Sequence, residues 1–207
     1  MSITLPSPRR TQAERRASTR GKLLDAALEC LVRNGYQGTT MVEVQQLAGV
    51  SRGALQHYWP SKADLVVAAV DHLFDSLIET NRRKARNLVD SDNRIDAAVD
   101  ILWSSFELPL FLTSLDLWQA ARTDPDLRAV LIPHEQRLGE EIRAWCRELF
   151  SSEVSNHPRY ETALDVVINS MRGTAATGAI KPRRSRPEQL IAEWKRILRS
   201  SLEGSAS

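Results

Sequence analysis

Cysteine is nearly missing from this 207-residue chain: Cys30 and Cys146 are the only two. They lie on separate predicted helices, and two cysteines make no disulfide framework, so a reducing compartment fits best. Histidine is scarce as well. His57, His72, His134 and His157 show no HxxxH or HExxH spacing, and neither cysteine has a partner at metal-ligand spacing, so no metal centre is expected. The chain lacks a P-loop and a GxGxxG, which removes the common phosphate and dinucleotide motifs. Its acids are scattered as on solvated helix faces. No cofactor is expected, and the one enzymatic reading left is a helical enzyme using Glu107 and His134 as an acid–base pair. No apolar run approaches the roughly 18–20 residues of a membrane span. The opening MSITLPSPRRTQAERR has no apolar core of signal-peptide length. A cytoplasmic protein without a membrane partner is the expectation. Internal repeats, coiled-coil heptads and convincing strands are also missing.

What is present is ordinary: 42% hydrophobic and 26% charged residues, in a chain long enough for a sizeable core. The net charge of +2 hides an asymmetry. Nine of the 28 basic and four of the 26 acidic residues fall in residues 1–62, so that part carries +5 and the remainder −3. A basic head on a mildly acidic body suits a phosphate-binding unit attached to something else.

The most informative stretch is residues 39–65, TTMVEVQQLAGVSRGALQHYWPSKADL. Thr40 with Glu43 three residues on is a capping box, opening a helix at Met41 whose apolar face carries Met41, Val44, Leu47 and Ala48. Gly49 stands where that helix would end in a left-handed conformation. Ser51 can cap a second helix, Arg52 to Tyr58, held to the first through Leu55. Together these form a helix-turn-helix. Arg52 and Gln56 are side-chain types that make paired hydrogen bonds to guanine and adenine edges, with His57 and Tyr58 adjoining. Taken alone, those polar residues also fit a solvated helix face.

Residues Gly35-Tyr36, Thr39-Thr40, Ala48-Gly49-Val50-Ser51, Gly53-Ala54-Leu55, Tyr58-Trp59, Ser61-Lys62 and Leu65 form one ordered set. That set resembles the DNA-binding domain of TetR-type (TetR/AcrR) transcriptional regulators. Gln45, Gln56, Trp59 and Ala63 depart from the usual pattern. Gln56 matters most, because that position often touches DNA, so the half-site sequence does not carry over.

The fold expected is all-α. Residues 1–10 read as a disordered basic arm, either a solvated tail or, with Arg9, Arg10, Arg15 and Arg16 nearby, a segment that follows the DNA backbone or a minor groove. Residues 11–60 read as the DNA-binding domain, with a first helix at 11–34 that stops at Asn34-Gly35. Residues 61–207 read as a helical body. Its helices are expected at 62–88, 93–107, 110–122, 125–150 (kinked at Pro133), 159–180 and 187–202, with loops at 151–158 and over KPRRSRP.

The resemblance implies a one-component regulator, acting as a repressor or, with the same head, an activator. It would bind a palindromic operator as a homodimer through its last two helices. In the first of these, Ala163, Val167, Ser170, Thr174, Ala175 and Gly178 permit close helix approach, and in the second Leu190, Trp194, Ile197 and Leu198 form an apolar edge; packing of both against the chain's own body is the other reading. Thr40, Ser51, Tyr58 and Lys62 would hold phosphates of the double-stranded DNA; Arg52, Gln56 and His57 would meet base edges, and Gly53 completes the DNA-facing set. Such bodies enclose a small-molecule cavity, for which Trp103, Phe106, Phe111, Leu115, Trp118, Trp145 and Met171 are candidate lining residues. Glu107 or His134 would be the polar anchor. These aromatics also fit a plain core. A mostly apolar cavity would take a hydrophobic or aromatic effector. The other non-enzymatic reading is a DNA-binding accessory or architectural protein without an effector.

Overall fold

The computed structural model describes residues 12–86, 93–107, 109–180 and 187–202, which form ten α-helices with no strand among them. In order these are α1 (Gln12–Gly38), α2 (Met41–Ala48), α3 (Arg52–Tyr58), α4 (Lys62–Arg86) and α5 (Arg94–Phe106). They are followed by α6 (Pro109–Ala121), α7 (Pro125–Leu149), α8 (Ser152–Ser155), α9 (Tyr160–Ile180) and α10 (Pro187–Leu202). The expected basic arm at 1–10 and segment 181–186 lie outside the described residues.

Local signals set most of these boundaries. The Thr40 hydroxyl accepts the Glu43 amide at 3.2 Å, the first half of a capping box. The second half differs from expectation, because the Glu43 carboxylate accepts from the Asn34 amide at 2.8 Å and so ties α2 to the end of α1. Gly49 ends α2 at φ 65°, and Ser51 caps α3 through the Ala54 amide. Ser61 opens α4 through the Asp64 amide, and Asp124 opens α7 through the Leu127 amide. The helical path of α1 breaks at Gly35 (φ 67°, ψ 178°), where the Asn34-Gly35 pair predicts a stop. α7 continues through Pro133 to Leu149, close to the expected 125–150. One expectation on the body changes. Residues 151–158 are not all loop, since Ser151 caps the single turn α8 by accepting the Val154 amide.

Among the described residues, three apolar clusters are buried. The first joins α1, α2, α3 and the start of α4 around Leu23, Val44, Leu55 and Leu65. Leu47 is not part of it: Val44 points inward with Met41 and Ala48 against it, leaving Leu47 44% exposed. The second links α1 and α4 to α6 and α7 through Leu31, Tyr36, Val66, Leu117 and Leu127. The third fills the far end with α5, α7, α9 and α10 around Leu102, Trp145, Val167 and Trp194. α4 contributes to the first two clusters at once, so one rigid helix runs from the head into the body.

The two left-handed glycines differ in surroundings. A Cβ on Gly49 would meet nothing within 4 Å, whereas one on Gly35 would lie 3.0 Å from Asp116 Oδ2. The Gly35 backbone also sits in a region that only glycine enters readily. Gly49→Ala should therefore cost roughly 1–2 kcal/mol for the left-handed backbone alone, and Gly35→Ala clearly more. Urea unfolding of both variants checks this; equal losses would show that the approach of Asp116 carries no weight.

Candidate nucleic-acid interface and ligand cavity

α3 presents one polar face. Leu55 anchors the helix in the head core, and Trp59, the residue after it, is also buried. With those positions turned inward, Arg52, Gly53, Gln56 and His57 stand exposed together. Gly53 adds space: a Cβ there would touch nothing in the protein. Tyr58 is half-buried, with its ring between those of His57 and Trp59 at 5.5 and 5.6 Å. Thr40 and Ser51 are exposed at the N-termini of α2 and α3, where backbone N–H groups favour an anion, although each hydroxyl already accepts a capping bond. Lys62, next to this face, also has a contact within the protein. It is half-buried, its Nζ donates to the Tyr36 carbonyl at 2.9 Å, and it lies 4.1 Å from the Tyr36 ring centroid.

That contact belongs to a junction between head and body that sequence reasoning missed. Tyr36 follows the left-handed Gly35, so its amide has left the α1 ladder, and the Asp116 carboxylate of α6 accepts from it at 2.5 Å. The Tyr36 hydroxyl donates to Asp124 Oδ2, at the start of α7, at 3.2 Å. Burial, with the neighbouring Asp124 charge, pushes the Tyr36 phenol up to about 12. The Leu127 amide holds the Asp124 carboxyl below the usual carboxylate range, helped by the Tyr36 hydroxyl and the Lys62 charge. The signal in the sequence was Asp116 itself, the one charged residue in the α6 segment PLFLTSLDLWQAA.

A cavity of about 320 Å³ opens between α4, α5, α6, α7 and α9. It is mostly apolar, and four of the predicted residues line it: Phe106, Phe111, Trp118 and Trp145. Phe106 and Phe111 meet edge to face at 5.1 Å. α4 adds Leu77, Ile78 and Asn81, which continue its apolar stripe, and α9 adds Arg172, one helical turn after Ile168. A polar residue at an apolar-stripe position was the available signal for both. Asn81 is buried and donates to Ser105 Oγ at 3.1 Å. The Arg172 guanidinium lies 5.7 Å from the Trp118 ring centroid.

The other five candidates lie off this wall. Trp103 packs against Trp194 at 5.2 Å, and Met171 is wholly buried in the same core. Leu115 is half-buried outside the cavity lining, and Glu107 is exposed at the end of α5. His134 does not anchor a ligand there. It is buried against α4, with Nδ1 2.8 Å from Asp71 Oδ1, and Asp71 is also bridged by Arg137 at 2.7 Å. Glu107 and His134 are therefore not an acid–base pair within one pocket. Both cysteines are buried and unpaired; burial raises both thiols, Cys146 up to about 12, so neither is a reactive thiolate near neutral pH. Among the described residues no helix is long and apolar enough to cross a membrane, and no cluster of metal-ligating residues is found.

Comparison with known proteins agrees with this geometry. Residues 23–69 match the model of bacterial regulatory proteins, tetR family. The chain is 35% identical over 200 residues to the HTH-type transcriptional regulator CymR of Pseudomonas putida, covering 94% of this chain and 93% of that one. A protein from Pseudomonas aeruginosa PAO1 has the same fold, with a TM-score of 0.67 at 20% identity over 95% of this chain and 94% of that one. So does the transcriptional regulator FadR from Bacillus subtilis in complex with stearoyl-CoA, with a TM-score of 0.62 at 17% identity over 89% and 98%.

The junction has a pH signature. Asp124 has its folded pKa below its unfolded value, so its stabilisation is present above the unfolded pKa and is lost as pH falls through the folded one. Asp124→Asn keeps a capping oxygen but no charge. Chemical denaturation should find this variant less stable than the parent at neutral pH, with the gap closing in acid below the carboxylate range. A gap that is constant with pH would contradict the assignment.

Proposed function

This chain belongs to the tetR family of bacterial regulatory proteins, and from that premise we propose that it is a one-component repressor released from its operator by a small apolar or aromatic effector. The observation that carries the proposal is a capped, exposed recognition helix whose support, α4, also walls an apolar cavity. We assign the division of labour as a head at 11–60 and an effector and dimerisation body at 61–207, acting in the bacterial cytoplasm.

In the head, Arg52 and Gln56 read base edges in the major groove with His57 beside them, and Gly53 allows close approach. Thr40, Ser51, Tyr58 and Lys62 hold backbone phosphates and set register. The helix N-termini of α2 and α3 add their positive ends. Two copies would place two recognition helices about one helical turn apart, on the order of 34–36 Å, which calls for a palindromic operator. The homodimer uses α9 and α10. Ala163, Val167, Trp194 and Leu198 are consumed by the chain's own core, so the outer face of α9, where Val166 is 54% and Ile180 80% exposed, is the part left to meet a second copy.

Effector binding acts by differential affinity for two arrangements of the body. The cavity is bounded by α4 and α6, and both reach the head: α4 directly, α6 through Asp116. The cavity favours this reading over an architectural DNA-binding protein. Selection of bound duplexes from a random pool tests the function, followed by release assays and a promoter–reporter measurement of sign. Binding without preference among duplexes at physiological salt would overturn it.

Two substitutions separate the roles. Arg52→Ala should flatten the ranking of operator variants, removing roughly 1–3 kcal/mol of discrimination at the base pair it reads. Lys62→Ala should weaken all operators alike and make the slope of log affinity against log salt shallower. It should also lower the melting temperature, because the same Nζ holds the Tyr36 carbonyl. Competition binding at several salt concentrations, with a thermal melt, measures all three.

A further inference from the structure

The cavity wall carries a charge that its neighbours leave unanswered. Arg172 is half-buried, lines the cavity, and forms no ion pair among the described residues; its guanidinium lies over the face of Trp118. Bringing a guanidinium to an apolar wall without a carboxylate is costly unless something supplies one. The one carboxylate among the lining residues is Glu135. It also lines a shallow outer groove beside Arg128, so it sits at the rim between the two and keeps access to water. The other side-chain hydrogen-bonding groups on the wall, those of Asn81, Ser105, Ser114 and Trp145, are uncharged. Trp145, which lines it too, leaves its indole N–H buried with no partner, and the Asn81 amide already donates to Ser105.

We propose that the cavity takes a small aromatic carboxylic acid, and that Arg172 is the residue that pairs with its carboxylate. The proposal rests on the effector reading above and names the ligand class of that site. The aromatic body suits Phe106, Phe111 and Trp118, and about 320 Å³ holds a ligand of one ring with short substituents. A carboxylate matches the planar fork of a guanidinium through two parallel hydrogen bonds, which an amide or an alcohol cannot do with charge. Capture of the acid also competes with the Arg172–Trp118 contact. Trp118 lies two residues from Asp116 on α6, so the ligand acts on the helix that holds the head.

The test uses the purified full chain with benzoate, toluate, phenylacetate and cinnamate, each compared with its primary amide, a neutral molecule of the same shape. Binding is followed by calorimetry and tryptophan fluorescence. At least one acid should bind about tenfold or more tighter than its amide. Arg172→Gln should remove that preference and Arg172→Lys, which keeps the charge, should retain part of it. A cooperative thermal transition in each variant shows that it is folded. Equal binding of acids and amides, a preference that survives Arg172→Gln, or no binding by any of the acids would each overturn the proposal and leave the regulatory reading standing. Acids that bind through Arg172 but do not alter duplex affinity would support the ligand class and overturn the effector reading instead.

Discussion

The carboxylate of Asp116 on the Tyr36 amide is the polar bond that ties the end of α1 in the head to α6 in the body. Gly35 makes this possible by turning left-handed, which frees that amide from the α1 ladder and brings the backbone against α6. The rest of Tyr36 is held as well: its carbonyl by Lys62 and its hydroxyl by Asp124. One residue therefore joins α1, α4, α6 and α7 by polar bonds, within an apolar cluster that contributes packing but little direction. Hydrogen bonds to a charged group contribute roughly 1.5–3 kcal/mol. Coupling between an effector site and a second site is commonly about 1–3 kcal/mol. The two magnitudes are comparable, so under the proposed mechanism a ligand that disturbed this bond would have enough coupling energy to change how the heads are presented.

The cavity lies where such a disturbance can start. Its wall includes Ser114 and Trp118 of α6, on either side of Asp116, and Leu77 and Ile78 of α4, the helix that runs into the head. α7 also braces α4, nearer the head than the cavity, through Asp71, His134 and Arg137. A ligand that shifts α6 against this brace moves the head relative to a fixed support. Repositioning α4 alone would have to break the brace first.

The sequence was read best where the physics is local. Capping hydroxyls at Thr40 and Ser51, the stop at Gly35 and the left-handed Gly49 act within a few residues of themselves, and their helices begin and end accordingly. The exposed set on α3 follows from one buried Leu55. The cavity was legible only in part, and its misses share a cause. Trp103, Glu107, Leu115, His134 and Met171 each adjoin in sequence a residue that does line it: Leu102, Phe106, Ser114, Glu135 and Arg172. One residue along a helix is about 100° around it. Periodicity shows that a stripe is apolar, but a stripe that wide meets two neighbours, and only packing decides which edge faces the cavity. The Asp116–Tyr36 bond joins residues 80 apart in sequence, a separation at which no local pattern operates.

The most direct measurement is the distance between the two heads of the proposed dimer. A spin label at Val32→Cys, a position 49% exposed on α1, reports it, since Cys30 and Cys146 are fully buried. The free protein should give one narrow distance distribution, and Asp116→Ala should broaden or shift it while the chain remains folded and dimeric. An unchanged distribution in Asp116→Ala would show that the body does not set the position of the head through this bond.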